Sequence, residues 1–175
     1  GPEYSEDVIK DSLISSGLDY VEMNEDVLAK SVAEKISEGD IVGWYQGRSE
    51  WGPRALGNRS IVADPRRAEM KDILNSRIKH REDFRPFAPS ILEEFTAEGF
   101  EQEYHSPFMQ MTYQVNPNRV PDIPAPTHVD GSGRLQTVNP SNNQKYYKLI
   151  KEFYGITGIP VVVNTSFNDN EPIVN

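Results

Sequence analysis

Residues 159–163 are apolar and rich in β-branched side chains, the pattern of a strand buried inside a sheet, and they run straight into Asn164-Thr165-Ser166-Phe167-Asn168. Around this run, helix-like and strand-like stretches interleave. Ser5 can cap a helix over 5–15, with Glu6 and Asp7 in its first turn and Val8, Ile9 and Leu13 on one side. Asn24 caps a second, over 24–38, in which Leu28, Val32 and Ile36 recur at i+4 before Gly39 ends it. Strand patterns fall at 41–45, 60–63, 90–92, 109–115 and 134–138. Helical patterns fall at 66–78 and at 141–154, the latter capped by Ser141 and closed near Gly155. The prolines at 117, 121, 124 and 126 make 116–126 a loop. Elements in this order predict one α/β domain over 40–175, with 1–39 as a helical lead-in packed on it. The chain stops at Asn175 just past a site-like loop, which reads as a domain cut short at its C-terminus.

Charge narrows the class of partner. The net charge is −9, which argues against a general nucleic-acid binder. Yet ten of the 18 basic residues fall between Arg48 and Arg85. An acidic chain with one basic segment suits a small anion better than a polyanion, although a solvated, salt-bridged helix face would look the same. Cys is absent, which excludes disulfides and thiolate chemistry and is compatible with the cytoplasm as the expected location. No stretch of 18 apolar residues predicts a membrane span, and no secretory signal is evident.

Three clusters can carry chemistry. The first runs from Gly47 through Glu50, Trp51, Arg54, Asn58, Arg59 and Ser60. Its glycines let backbone amides approach an anion, and its arginines offer forked donors to phosphate oxygens. No Gly-Lys-Ser/Thr follows, so it is not a Walker loop, and a loop braced by surface arginines would carry the same residues. The second holds Lys79, Arg81 and Arg85. A compact ammonium beside planar guanidinium groups can neutralise phosphate or a leaving pyrophosphate, or simply complement a helix C-terminus. The third is Asn164, Ser166 and Asn168 at a strand end, placed to hold a ligand or to stabilise a turn. His128 and Asp130 alternate around Val129 and suit hydrogen bonding to substrate. Two such residues are too few to predict a metal site, and no metal ligands are assigned.

The blocks 47–61, 84–90, 127–131 and 163–168 with 171–174 resemble, in order and spacing, the signature of the C-terminal domain of NodU/TobZ-type O-carbamoyltransferases. The resemblance implies a YrdC-like twisted sheet with flanking helices. It further implies a domain that binds carbamoyl phosphate and ATP, with Mg²⁺ accompanying the nucleotide, and forms carbamoyl adenylate. An N-terminal domain of the actin-like ATPase superfamily, outside this chain and expected to carry its own metal, would transfer the carbamoyl group to an acceptor hydroxyl. By position, Lys79-x-Arg81 is similar to the Lys-x-Arg of YrdC-type folds and Ser166-x-Asn168 to their Ser-Ala-Asn turn. Lys79, Arg81 and Arg54 are then the catalytic candidates. Glu50, Trp51, Asn58, Arg59, Ser60, Arg85, His128, Asp130, Asn164, Ser166 and Asn168 are the binding candidates. A non-catalytic nucleotide- or RNA-binding module, or one that only docks on a partner domain, are the competing readings. The acidic charge and the scarcity of aromatics near the basic run count against RNA.

Overall fold

The structure, a computed structural model, describes residues 1–169 and 171–174. Its centre is a five-stranded mixed sheet in the order β1-β2-β7-β3-β6, built from β1 (Val42–Tyr45), β2 (Arg59–Ala63), β7 (Val161–Ser166), β3 (Ala88–Leu92) and β6 (Gln136–Val138). All neighbours are antiparallel except β3 and β6. A two-stranded ribbon, β4 (Tyr113–Gln114) with β5 (Ser132–Gly133), lies apart from it. The α/β expectation holds.

Period-2 alternation assigns the two faces of the sheet. Val62, Leu92, Val138 and Val162 face a cluster with Ala33 and Ile36 of α2 (Glu25–Glu38) and with Tyr146, Leu149, Ile150 and Phe153 of α5 (Pro140–Thr157). Their neighbours Ile61, Ala63 and Val163 pack with Met70, Leu74 and Phe87 on the opposite face. Val161 and Ile91 meet Phe100, Val115, Ile123 and Leu135 in a third cluster. The middle strand, β7, is therefore covered on both sides, which is why its sequence is continuously apolar up to Val163.

Residues 1–39 divide in two. Helix α2 starts at its Asn24 cap, ends on Gly39 at φ 104° and buries Ala29, Ala33 and Ile36. Helix α1 (Glu6–Ser15) has the Ser5 cap but buries no residue, and Val8, Ile14 and Leu18 are exposed.

Three local readings differ from the structure. The 141–154 helix begins instead at Pro140 under an Asn139 capping box and ends at Gly158, φ 73°. Proline at the first helical position needs no amide partner, so Asn139 outcompetes Ser141 as the cap. The single helix expected over 66–78 is a turn, a short α3 (Met70–Ile73) and then a π turn, Leu74–Ile78, closed by the Lys79 amide on the Leu74 carbonyl. The alternating stretch 109–115 yields only β4. Met109 adopts φ 52° and is buried, so its apolar character reflects inward curling rather than a sheet face.

Candidate functional site

On the α5 face of the sheet the apolar layer gives way, toward one end, to a polar one. Ser60, Ser90, Gln136 and Asn164 continue the same parity as Val62, Leu92, Val138 and Val162, and all four are buried. Burying a polar group is costly unless it is paired, and this layer is dense with hydrogen bonds. Ser90 Oγ donates to Gln136 Oε1 at 2.6 Å, and Asn164 Nδ2 donates to the same oxygen at 3.0 Å. The loop before β2 closes over them: Gln136 Nε2 reaches the Leu56 carbonyl at 2.8 Å and Asn164 Nδ2 the Ala55 carbonyl at 3.2 Å.

That loop is held by Glu50, Asn58, Arg59 and Ser60. Glu50 Oε1 accepts from the amides of Leu56, Asn58 and Arg59 at 2.8, 2.7 and 3.1 Å. Asn58 Nδ2 donates to the Arg48 carbonyl, and its Oδ1 accepts from Asn143 at the kink of α5. Ser60 Oγ accepts from the Gly57 amide at 2.9 Å. Gly57 sits at φ 105°, and a Cβ there would come within 2.2 Å of the Tyr146 ring. Arg59 is fully buried; its Nη1 donates to the carbonyls of Gln46, Gly47 and Asn58, and its guanidinium lies 3.6 Å from the Tyr45 ring centre. These four residues shape the loop, and none of them lines the cleft beyond it.

The cleft, about 110 Å³, opens where the polar layer meets the ends of β3 and β7. Arg54, Arg81, His128, Asn164 and Ser166 from the sequence candidates line it. So does Arg134, which sequence reasoning passed over. Among the described residues, none of the three arginines pairs with a carboxylate. Burial, then the proximity of Arg54, lowers the pKa of Arg134; burial, then Arg85, lowers that of Arg81. Crowded, partly desolvated cations without counter-charges favour an anion between them. Arg81 is aimed by its surroundings: Nε donates to Asn75 Oδ1 at 2.8 Å, and the guanidinium lies 4.9 Å from the Phe87 ring centre. Asn75 is itself buried and anchored to the carbonyls of Asp83 and Arg85. His128 Nδ1 is 3.2 Å from Ser132 Oγ, and burial lowers its pKa against the pull of Asp130.

Lys79 stands behind the cleft wall. It is only 2% exposed, and its ammonium donates to the Ser166 carbonyl (2.5 Å), the Asn168 carbonyl (2.7 Å), Asn168 Oδ1 (3.0 Å) and Ser166 Oγ (3.3 Å). Burial and the neighbouring Arg81 bring its pKa down to about 8 against the opposing pull of Asp169 and Glu171. Lys79 and Asn168 thus fix the end of β7, with Ser166 presented to the cleft. The remaining candidates lie elsewhere. Trp51 is 95% exposed. Arg85 pairs with Glu82 at 2.9 Å beside an open basin that Arg81 also borders. Asp130 accepts from the amide and hydroxyl of Ser132, which hold its carboxyl below the usual range. Among the described residues, no group of three or more His, Cys, Asp or Glu side chains could hold a metal ion, and no helix is long and apolar enough to cross a membrane.

Arg134 sits in the break between β5 and β6, flanked by Gly133 and Leu135, and no motif singles it out. Its one mark in the sequence is that it stands as a lone charge in the otherwise uncharged stretch 131–144.

Residues 33–175 match the family model described as Carbamoyltransferase C-terminus. The chain is 48% identical to the nodulation protein NolNO of Sinorhizobium fredii, covering 99% of this chain and 26% of that one. It is 50% identical to NolO of Bradyrhizobium diazoefficiens, over 85% and 28% respectively. It is also 42% identical to a 3'-hydroxymethylcephem-O-carbamoyltransferase of Amycolatopsis lactamdurans, over 77% and 25%. The chain spans about a quarter of the length of these curated relatives.

Proposed function

The chain belongs to the carbamoyltransferase C-terminal family, and from that premise we propose that its cleft binds carbamoyl phosphate and ATP and joins them into carbamoyl adenylate, for transfer to an acceptor hydroxyl by a domain outside this chain. The observation that carries the proposal is the meeting of Arg54, Arg81 and Arg134, free of carboxylate partners among the described residues, beside Asn164 and Ser166. Carbamoyl phosphate, ATP and pyrophosphate are all polyanions, so several converging cations are the group such chemistry needs.

The size of the cleft suits the smaller substrate. At about 110 Å³ it lies well below the ~300 Å³ at which drug-sized ligands become enclosed. Carbamoyl phosphate occupies the enclosed part, and the nucleotide lies across the mouth with its α-phosphate toward the arginines. Water releases phosphate from carbamoyl phosphate; the resulting carbamate oxygen attacks the α-phosphorus, and pyrophosphate leaves. Arg81, held by Asn75 and Phe87, and Arg134, half-buried, stabilise charge on phosphate oxygens. Arg54, exposed on the covering loop, meets the outer phosphates. Lys79 keeps Ser166 in position, and His128 donates or accepts at the acyl end. Mg²⁺ would come with the nucleotide as part of the substrate and would offset phosphate charge beside Arg54, Arg81 and Arg134. Holding two fragments in line supplies more of the rate than any acid or base. The docking partner is the transfer domain of the longer protein.

The test is calorimetric titration of the chain with carbamoyl phosphate. Arg81→Ala should weaken binding by about tenfold or more, the effect of losing a charged hydrogen bond. Unchanged affinity would remove Arg81 from the site. In the longer protein, pyrophosphate release that depends on carbamoyl phosphate reports the complete half-reaction.

A further inference from the structure

The amide of Asn164 has a fixed orientation, and the orientation leaves one atom without a partner. A backbone carbonyl can only accept a hydrogen bond. Gln136 must therefore turn Nε2 to the Leu56 carbonyl, which sets its Oε1 toward Ser90 and Asn164. Asn164 must in turn present Nδ2 to that oxygen and to the Ala55 carbonyl, with Ser90 Oγ also at 3.2 Å. Its Oδ1 then faces away from all three, and among the described residues it finds no hydrogen-bond donor although Asn164 is only 1% exposed. Reversing the amide would point Nδ2 away and bring two oxygens, Oδ1 and the Ala55 carbonyl, together.

Asn164 lines the same cleft as Arg54, Arg81 and Arg134. The wall thus carries positive charge for an oxyanion and, just beneath its surface, one acceptor that lacks a donor among the described residues. The geometry points to Asn164 Oδ1 as the group that selects the amino end of the ligand, accepting a hydrogen bond from the NH₂ of a carbamoyl group. This rests on the reading of the cleft as the carbamoyl phosphate site and adds the basis of its selectivity. An acyl phosphate with a methyl group in place of NH₂ would leave Oδ1 unpaired and desolvated. A site built to pair a polar ligand group rejects the analogue that lacks it far more strongly than its shape alone would. Gln136 and Ser90 act as positioning residues, because they hold the amide against rotation.

The experiment uses two non-hydrolysable phosphonates of matched shape, phosphonoacetamide, with NH₂, and acetonylphosphonate, with CH₃. Calorimetry on the chain should show phosphonoacetamide binding at least about tenfold more tightly. In Asn164→Leu the ratio should fall to about one. Equal binding of both ligands by the unaltered chain would overturn the inference while leaving the anion cleft in place, and this comparison decides the matter even if the variant fails to fold. A ratio retained by a folded Asn164→Leu chain would also overturn it. If neither phosphonate nor inorganic phosphate binds the unaltered chain, the reading of the cleft falls, and the selection by Asn164 falls with it.

Discussion

The cations of this protein fall into two regions that look alike in sequence and differ in chemistry. In the interior, Arg59 and Lys79 direct their donors to backbone carbonyls and hold loops in shape. Arg66 does similar work at the other end of β2, gripping Asp64 with two nitrogens and the Ser37 carbonyl at the end of α2 with a third contact. At the cleft, Arg54, Arg81 and Arg134 have neither carboxylates nor, apart from Arg81, hydrogen bonds within the protein among the described residues. A cation buried and held by the fold builds a site, even where, as at Arg59 Nε and Nη2, some donors lack partners among the described residues; a cation that borders a cavity without a carboxylate is available to the ligand. Lys79 and Arg81, two residues apart, fall on opposite sides of that division.

The contrast breaks most visibly through stability. Arg59→Ala should cost about 3–5 kcal/mol in denaturant unfolding, because it opens a large cavity and strands the Gln46 and Gly47 carbonyls. An effect below about 1 kcal/mol would place Arg59 with the cleft cations instead. Next in size is the pH dependence of Lys79. Its folded pKa, about 8, lies below the ordinary lysine value of 10.5. The unfolded chain therefore binds more protons between those values, and stability rises with pH across that window. Relative to Lys79→Met, the unaltered chain should gain of order 2–3 kcal/mol from pH 8 to 10.5, read from unfolding midpoints. A flat difference would mean that the carbonyl cage keeps the ammonium fully charged. Arg134→Ala should do the opposite of Arg59→Ala. Phosphate affinity should fall about ten- to a hundredfold, with stability changed by less than about 1 kcal/mol. The smallest effect is expected at Trp51, which is exposed and outside the cleft. Trp51→Ser should alter stability by less than about 0.5 kcal/mol and leave phosphate binding unchanged. Weaker phosphate binding would return Trp51 to the site.

What could be read in the chain follows the range of the forces involved. Caps at Ser5, Asn24 and Gly39 and the buried strand β7 depend on neighbours within a few residues, and they were legible. The end of the 66–78 helix was not: the π turn that closes it sets Lys79 against Ser166 and Asn168, 87 and 89 positions away, and no local pattern encodes contacts at that range. Arg54, Arg81, His128, Asn164 and Ser166 could be named as candidates because their blocks carry unusual residue types. That Glu50, Arg59 and Ser60 serve the loop, and that Arg134 enters the cleft, depends on strand pairing and burial that no spacing encodes.

The π turn at Leu74–Ile78 has a consequence for how the site is aimed. Each α-helical residue advances about 100° around the axis, so one extra residue in a turn sets everything after it back by roughly that angle. The turn acts as an angular offset built into the chain. It swings Lys79 inward to β7 and delivers Arg81 to the opening two residues later, across the left-handed His80. A chain shortened by one residue there would keep every side chain of the site and lose their common bearing.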